Sequence, residues 1–311
     1  MKKASASVFT KTPVIVITAI IATLLWGSAY PGIKIGYELF AIPAGDIPSK
    51  LLFAGIRFTA SGLLTIAGAS ILRKKFVLPE KNNLWNITVL GLLQTGLQYV
   101  FFYIGLAYTT GVKSSILNAT GVFLAVILAH FVYADDKLTV HKTIGCFIGF
   151  SGIILINLSG LDAGFSLLGE GFIMLAAASS AIGALLSKRA ARDHDAAAVT
   201  GYQLFIGGTA LLLTGAVSGG TLPQITPAGI LLLAYLSVLS AAAFMLWTLL
   251  LKYNPVGKIS VYKFLVPVFG TLLSALFLKE EAFKLSAMLS LVLVCIGIAI
   301  VNRPRKKESN H

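Results

Sequence analysis

Ten apolar runs, each about the 20 residues a helix needs to cross ~30 Å of hydrocarbon, follow one another along the chain. They cover 14–37, 49–72, 85–108, 112–134, 140–158, 167–189, 196–217, 227–252, 257–278 and 283–302. The breaks between them carry turn and helix-breaking residues: Pro43 and Pro48, Pro79, Gly160, Gly219-Gly220 with Pro223 and Pro227, and Pro255 with Gly257. The connections are short, and none of them reads as a soluble domain. The fold class this predicts is an all-α integral membrane protein of ten transmembrane helices.

Composition agrees. The chain is 57% hydrophobic and 12% charged, with a mean hydropathy of +0.87, against roughly 45–50% apolar and about 25% charged residues in soluble domains. Most of this surface therefore has lipid as its solvent. The net charge of +13 does not indicate nucleic acid. A nucleic-acid binder gathers its basic residues on one folded face, whereas here they stand at segment ends such as Arg73-Lys74-Lys75 and Arg305-Lys306-Lys307. Cys146 and Cys295 each lie inside an apolar run and read as small buried hydrophobes. Lys2, Lys3 and Lys11 before an apolar stretch resemble a signal peptide, but the run is too long for one and is read as an uncleaved first span.

Orientation follows from the basic residues. With the N-terminus in the cytoplasm, 18 of the 25 Lys and Arg fall inside and 4 (Lys50, Lys113, Lys279 and Lys284) outside. The remaining three, Lys34, Arg57 and Lys263, lie within spans. The bias predicts a multi-pass protein of a bacterial cytoplasmic membrane with both termini cytoplasmic.

Shifting the chain by 145 residues exposes an internal repeat. Lys113 meets Lys258, Ser115 meets Ser260, Gly152-Ile153 meets Gly297-Ile298, Asn157 meets Asn302, and Asp135-Asp136 falls on Glu280-Glu281. Near the same offset Arg57 meets Gln203 and Gly62 meets Gly208. Halves of five spans, 14–158 and 167–302, must insert with opposite orientation. Inverted repeats of that kind recur in secondary transporters around a central site.

Several stretches resemble the ten-helix EamA-type group of the drug/metabolite transporter superfamily. They are Trp26-Gly27-Ser28 followed by Lys34, Arg57-Phe58, Gly105-Leu106-Ala107-Tyr108, Ser260 to Pro267, and Leu278-Lys279-Glu280-Glu281. The chain departs from that pattern in having Asp135-Asp136 where the group usually has Glu, and Val122 where the second half has Pro267. Lys263 is not general to the group. The resemblance implies a cytoplasmic N-terminus, a central cavity lined largely by spans 1, 3, 4, 6, 8 and 9, and transport of amino acids, other small metabolites or drugs, often by export.

The 12 acidic residues all lie outside the mid-membrane stretches, so the intramembrane charges are basic. Such a cavity favours a solute bearing carboxylate or phosphate. Lys263 is the sharpest candidate. It stands four residues before Pro267, whose missing N–H should leave the Lys263 carbonyl without its helical partner. The competing reading is a lysine snorkelling to the cytoplasmic surface. Arg57 is either a substrate group or an arginine tied to helix carbonyls, and Lys34 reads as a snorkelling residue near a span end. Trp26 and Tyr30 share a face one turn apart, beside Gly27 and Pro31, as a cavity wall or as packing. Gln94 and Gln98, with Tyr99, either bind substrate or bridge helices. Asn118 occupies the repeat position of Lys263. Trp247 and Tyr262 are candidate counterparts of the aromatic wall. His130 reads as a structural residue.

No Walker, HExxH or GxSxG signature is present, and neither catalysis, a metal nor a cofactor is expected. The expected partners are a small-molecule substrate and the lipid bilayer. The alternatives are an exporter of neutral or cationic drugs, a membrane enzyme acting on lipid near Asp135-Asp136 and His141, and a non-transporting subunit.

Overall fold

The computed structural model describes residues 8–109, 111–156, 165–278 and 285–303, and these are almost wholly helical, with no strand among them. In chain order the helices are α1 (Thr12–Leu39), α2 (Ile47–Arg73), α3 (Lys81–Tyr108), α4 (Gly111–Val132), α5 (Val140–Ile156), α6 (Leu167–Ala191), α7 (Ala196–Val217), α8 (Pro227–Tyr253), α9 (Val256–Leu278) and α10 (Leu285–Val301). One falls on each predicted run, with ends shifted by a few residues. Residues 157–158 and 283–284 of those runs lie outside the described residues, as do Lys279 and the Glu280-Glu281 pair. Among the described residues seven helices are long and apolar enough to cross a membrane: α1, α2, α3, α6, α7, α8 and α9. The apolar parts of the others are shorter: Ile116–Val132, Val140–Leu155 and Met288–Val301.

The boundaries have local causes. Proline opens α1, α2 and α8 in the first turn, where a missing N–H costs nothing. Asp46 caps α2 through the Ser49 N–H, Asp195 caps α7 through the Ala197 N–H, and Thr226 caps α8 through the Gly229 N–H. Lys74 closes α2 in the left-handed region at φ 51°.

Small residues set the packing, as expected where lipid removes the hydrophobic drive between helices. α2 and α7 run antiparallel along their whole length. Gly55 abuts Leu212, Gly208 abuts Thr59, Gly62 abuts Phe205 and Gly201 abuts Ile66. α5 and α10 form a second antiparallel seam, in which Gly145 meets Gly297 and Gly152 meets Val294, and the Ser290 hydroxyl donates to the Gly152 carbonyl at 2.7 Å. α1 packs between α8 and α9, and α6 packs between α3 and α4. Ile17, Ile21, Leu63, Leu64, Leu231, Val238 and Val292 point outward and stay exposed, a surface suited to acyl chains.

One expectation is corrected. Cys146 is buried, but Cys295 is exposed on α10. The Asp135-Asp136 stretch is a structural clamp rather than an interfacial centre. Asp136 is fully buried, accepts the Gly257 N–H at the start of α9 at 2.7 Å, and pairs with Lys142 at 2.5 Å. Lys188, over the Tyr133 ring, reaches Asp135 at 3.5 Å. His130 likewise serves structure: its Nδ1 accepts the Leu138 N–H at 3.1 Å.

A second clamp ties α2 to α7. Arg73 donates through both guanidinium nitrogens to Asp195. Partial burial pushes the Asp195 carboxyl up, but hydrogen bonds from Arg73 and the Ala197 N–H, with the charges of Arg73 and Lys252, hold it below the usual carboxylate range. Asp195→Ala removes a cap worth about 1 kcal/mol and an exposed pair worth up to about 1 kcal/mol. The melting temperature of the purified variant should drop by a few degrees with transport retained. Because the folded-state value is depressed, this contribution is complete above the unfolded value of about 3.9 and is lost as pH falls through the folded one. The gap between wild type and variant should narrow in acid.

Candidate functional site

The site is built on one face of α8. Ser240, Phe244 and Trp247 stand four and three residues apart, and so share that face. Trp26, halfway along α1, packs edge-on against Phe244 with ring centroids 5.3 Å apart and against Trp247 at 5.1 Å. Lys263 approaches from α9. Its ammonium lies 5.6 Å from the Trp247 ring and 5.9 Å from the Trp26 ring, within cation–π range. Its Nζ donates to Ser180 Oγ on α6 at 3.0 Å.

Ser180 lies near the middle of α6 and Trp26 near the middle of α1. The lysine thus reaches toward the middle of the helix bundle and does not snorkel to the end at which α9 begins. Its backbone differs from expectation as well. Before Pro267 the helix tightens into a 3₁₀ turn over Val261–Phe264, and the Leu265 N–H serves the Tyr262 and Lys263 carbonyls. The freed carbonyl predicted from the proline is therefore answered within the chain.

Among the described residues no carboxylate lies within salt-bridge distance of Lys263. An ion in the membrane interior costs at least about 2.5 kcal/mol on insertion scales, and a single serine hydroxyl with two indole faces offsets this only in part. The indole N–H of Trp247, the ring the ammonium faces, is buried and lacks an acceptor among the described residues. Two donors in one aromatic-walled place suit a ligand rich in acceptors.

The other candidates divide. Gln94 is buried on α3 against Gly183, one turn from Ser180, so it belongs to this place. Gln98 is half-buried one turn further along. Tyr99 stacks at a tilt on Phe58 with centroids 4.6 Å apart. Tyr30 packs on Gly270 of α9 and keeps 39% of its surface exposed. Asn118 is half-buried one turn before Gly121, which abuts Ala177 of α6. Tyr262 is buried in the apolar core, and among the described residues no ring pair joins it to Trp26 or Trp247. Arg57 is 2% exposed and stacks over Phe58 at 4.7 Å. Its Nε donates to the Ser240 hydroxyl at 2.8 Å, across to another helix, where helix carbonyls were the expected partners. Lys34 is exposed near the end of α1.

Sequence reasoning missed Ser180, Ser240 and Phe244. Ser180 sits in the small-residue stretch 176–184, whose packing role masked it, and a lone phenylalanine or serine in an apolar helix carries no signal. It also missed the π-helical segment Gly91–Leu97 that carries Gln94. Gly91 and Gly96 within one span were its only trace. Such bulges often mark functional places.

The fold and sequence both have relatives. One solved crystal structure superposes with a TM-score of 0.76 at 19% identity, over 94% of this chain and 97% of that one, a likeness of fold. The uncharacterized transporter YvbV of Bacillus subtilis is 29% identical over 92% of this chain and 90% of its own length. A chloroplastic WAT1-related protein of Arabidopsis thaliana is 25% identical over 91% of this chain and 68% of its own, and the uncharacterized transporter YoaV of Bacillus subtilis is 27% identical over 89% and 92%. The model of the EamA-like transporter family matches residues 13–158 and again 167–303. With nearly all of its length matched and its long apolar helices in place, this chain belongs to the EamA-like transporter family of the drug/metabolite transporter superfamily, as a multi-pass membrane protein and not an enzyme.

Proposed function

We propose that the protein is a secondary transporter of a small organic solute bearing a carboxylate or phosphate, with both termini in the cytoplasm. It works by alternating access between two inverted five-helix repeats, 14–158 and 167–302. The anionic group binds at Lys263 and the Trp247 indole N–H. Trp26 and Gln94 line the same place, and Tyr30, Gln98 and Asn118 surround it.

One observation carries the substrate class. The Lys263 ammonium is held between two indole faces by a serine hydroxyl, with no carboxylate partner among the described residues. An anionic substrate supplies the missing counter-charge. A cationic drug would compete with that ammonium for the same ring faces.

The seams support the repeat. Moving Gly55·Leu212 along by 146 residues turns it into Gly201·Ile66, and Gly62·Phe205 becomes Gly208·Thr59. At an offset of 145, Gly152·Val294 becomes Gly297·Gly149. Each seam maps onto itself with its partners exchanged, which is what a two-fold axis relating antiparallel counterparts requires. The packing of α1 with α8 and α9 matches that of α6 with α3 and α4 under the same exchange.

The test is a thermal-shift series on the detergent-purified chain with carboxylates, phosphorylated metabolites and organic ammonium compounds. A ligand at 100 times its Kd stabilises by about 2.7 kcal/mol. Members of the anion set should raise the melting temperature by several degrees while ammonium compounds leave it unchanged. Stabilisation by ammonium compounds alone would overturn the substrate class.

A further inference from the structure

The site has a second cation that the Lys263 place does not use. Along α8, Ser240 precedes Trp247 by seven residues, about 10 Å at 1.5 Å per residue. Ser240 holds Arg57, and Trp247 faces Lys263. Between them Phe244 packs on Trp26 on one side and, with centroids 6.1 Å apart, on Phe58 on the other. Two basic groups therefore sit on opposite sides of a short aromatic septum.

Arg57 is 98% buried by its 2% exposure, yet among the described residues it has no carboxylate within salt-bridge distance. Ser240 occupies only Nε, which leaves the two-pronged end of the guanidinium, the fork that matches carboxylate and phosphate geometry. The surroundings are phenolic. Arg57 stacks over Phe58, Tyr99 packs on the same Phe58 ring with centroids 4.6 Å apart, Tyr103 lies 6.3 Å from Tyr99, and Tyr37 packs in the same cluster. The Tyr37 hydroxyl is buried and has no hydrogen-bond partner among the described residues. A structural arginine in lipid normally has its donors taken up by fixed acceptors. This one instead faces hydroxyls that donate as readily as they accept.

We infer that Arg57, with Tyr37, Tyr99 and Tyr103, forms a second anion station, on the side of the septum from which α8 begins, the outer side by the charge bias. The substrate's anionic group passes between Lys263 and Arg57 around the Trp26–Phe244–Phe58 septum. The two cations offer equivalent partners in the inward- and outward-facing states, so the charge need not cross the septum unpaired. This rests on the carboxylate reading above.

The experiment measures uptake of radiolabelled phenyllactate, an aromatic carboxylate without an ammonium group, in right-side-out and inverted membrane vesicles. Arg57→Gln should raise the KM for entry from the outer face at least tenfold and leave the KM from the cytoplasmic face within twofold. Arg57→Lys should fall between it and wild type. Lys263→Gln should raise both. If the Arg57 variants are not recovered, Ser240→Ala, which removes the hydroxyl that aims the guanidinium, should shift the outer KM alone. Equal KM changes on both faces, or a fall in maximal rate with both KM values unchanged, would mean that Arg57 only supports the fold, and would overturn the second station while leaving the Lys263 reading intact. No saturable phenyllactate flux by the wild-type chain would overturn the carboxylate reading and the second station together.

Discussion

Lys263→Gln should cost transport about 10- to 100-fold in KM for an anionic substrate and should leave the protein at least as stable as wild type. The activity loss follows from the bond removed. A hydrogen bond to a charged group is worth about 1.5–3 kcal/mol, and each 1.4 kcal/mol is tenfold in affinity. The stability gain follows from the same lysine's surroundings. Its ammonium is inside the membrane, held by Ser180 and two indole faces and paired with no described carboxylate. Removing a charge that costs at least about 2.5 kcal/mol to place there relieves the substrate-free protein, and a glutamine amide still reaches toward the serine. Activity and stability thus move in opposite directions, which a packing lysine would not produce. Lys263→Arg, which keeps the charge, should recover part of the transport. The measurement pairs uptake in proteoliposomes with the melting temperature of the same preparations. Unchanged uptake by Lys263→Gln would remove the lysine from the site.

Helix positions were legible in the sequence because lipid imposes one requirement, about 20 apolar residues per crossing, and every predicted run carries a helix. Lys263 was legible for a related reason: a cation in an apolar run is expensive and therefore informative. The direction in which it reaches was not, because a flexible four-carbon stem extends either way along the membrane normal. Only the position of Ser180, on a helix some 80 residues earlier in the chain, decides it. Pro267 misled in detail, since its lost N–H is absorbed by a 3₁₀ turn that periodicity does not reveal. The aromatic septum was half visible. Trp26 and Trp247 are rare residues and drew notice, whereas Phe58 and Phe244 are common ones whose contact depends on α2, α1 and α8 meeting in space. Gly62 and Gly208 were visible as a repeat pair. That they lie across the same seam, each against the other's helix, is a fact of tertiary structure.

That seam gives a prediction of large effect. Gly208→Ala should destabilise the protein strongly, although alanine is the better helix former. Placing alanine for glycine within a helix gains about 1 kcal/mol. At Gly208, however, a Cβ would stand 2.3 Å from the Thr59 backbone nitrogen and 2.6 Å from the Phe58 carbonyl carbon. The obstacle is main chain, which cannot swing aside as a side-chain tip does, so α2 and α7 must part. The seam holds close contacts along its length, at Gly55, Gly62 and Gly201 as well, so parting the helices at one point loosens them all. Overpacking of this kind costs about 1–3 kcal/mol or more and outweighs the propensity gain. Gly68 on the same α2 provides the control. Nothing lies within 4 Å of where its Cβ would be, so Gly68→Ala keeps the propensity gain and should hold or raise the melting temperature. The two variants make the same chemical change in the same seam-forming pair of helices and should move stability in opposite directions. Gly208→Ala should also disturb Arg57, because the backbone it displaces is that of the next residue, Phe58, on which the guanidinium stacks. Its transport defect should therefore be larger for entry from the outer face. A melting temperature for Gly208→Ala equal to that of Gly68→Ala would show that the seam is looser than these distances require, and close contact would then no longer explain why glycines recur along it.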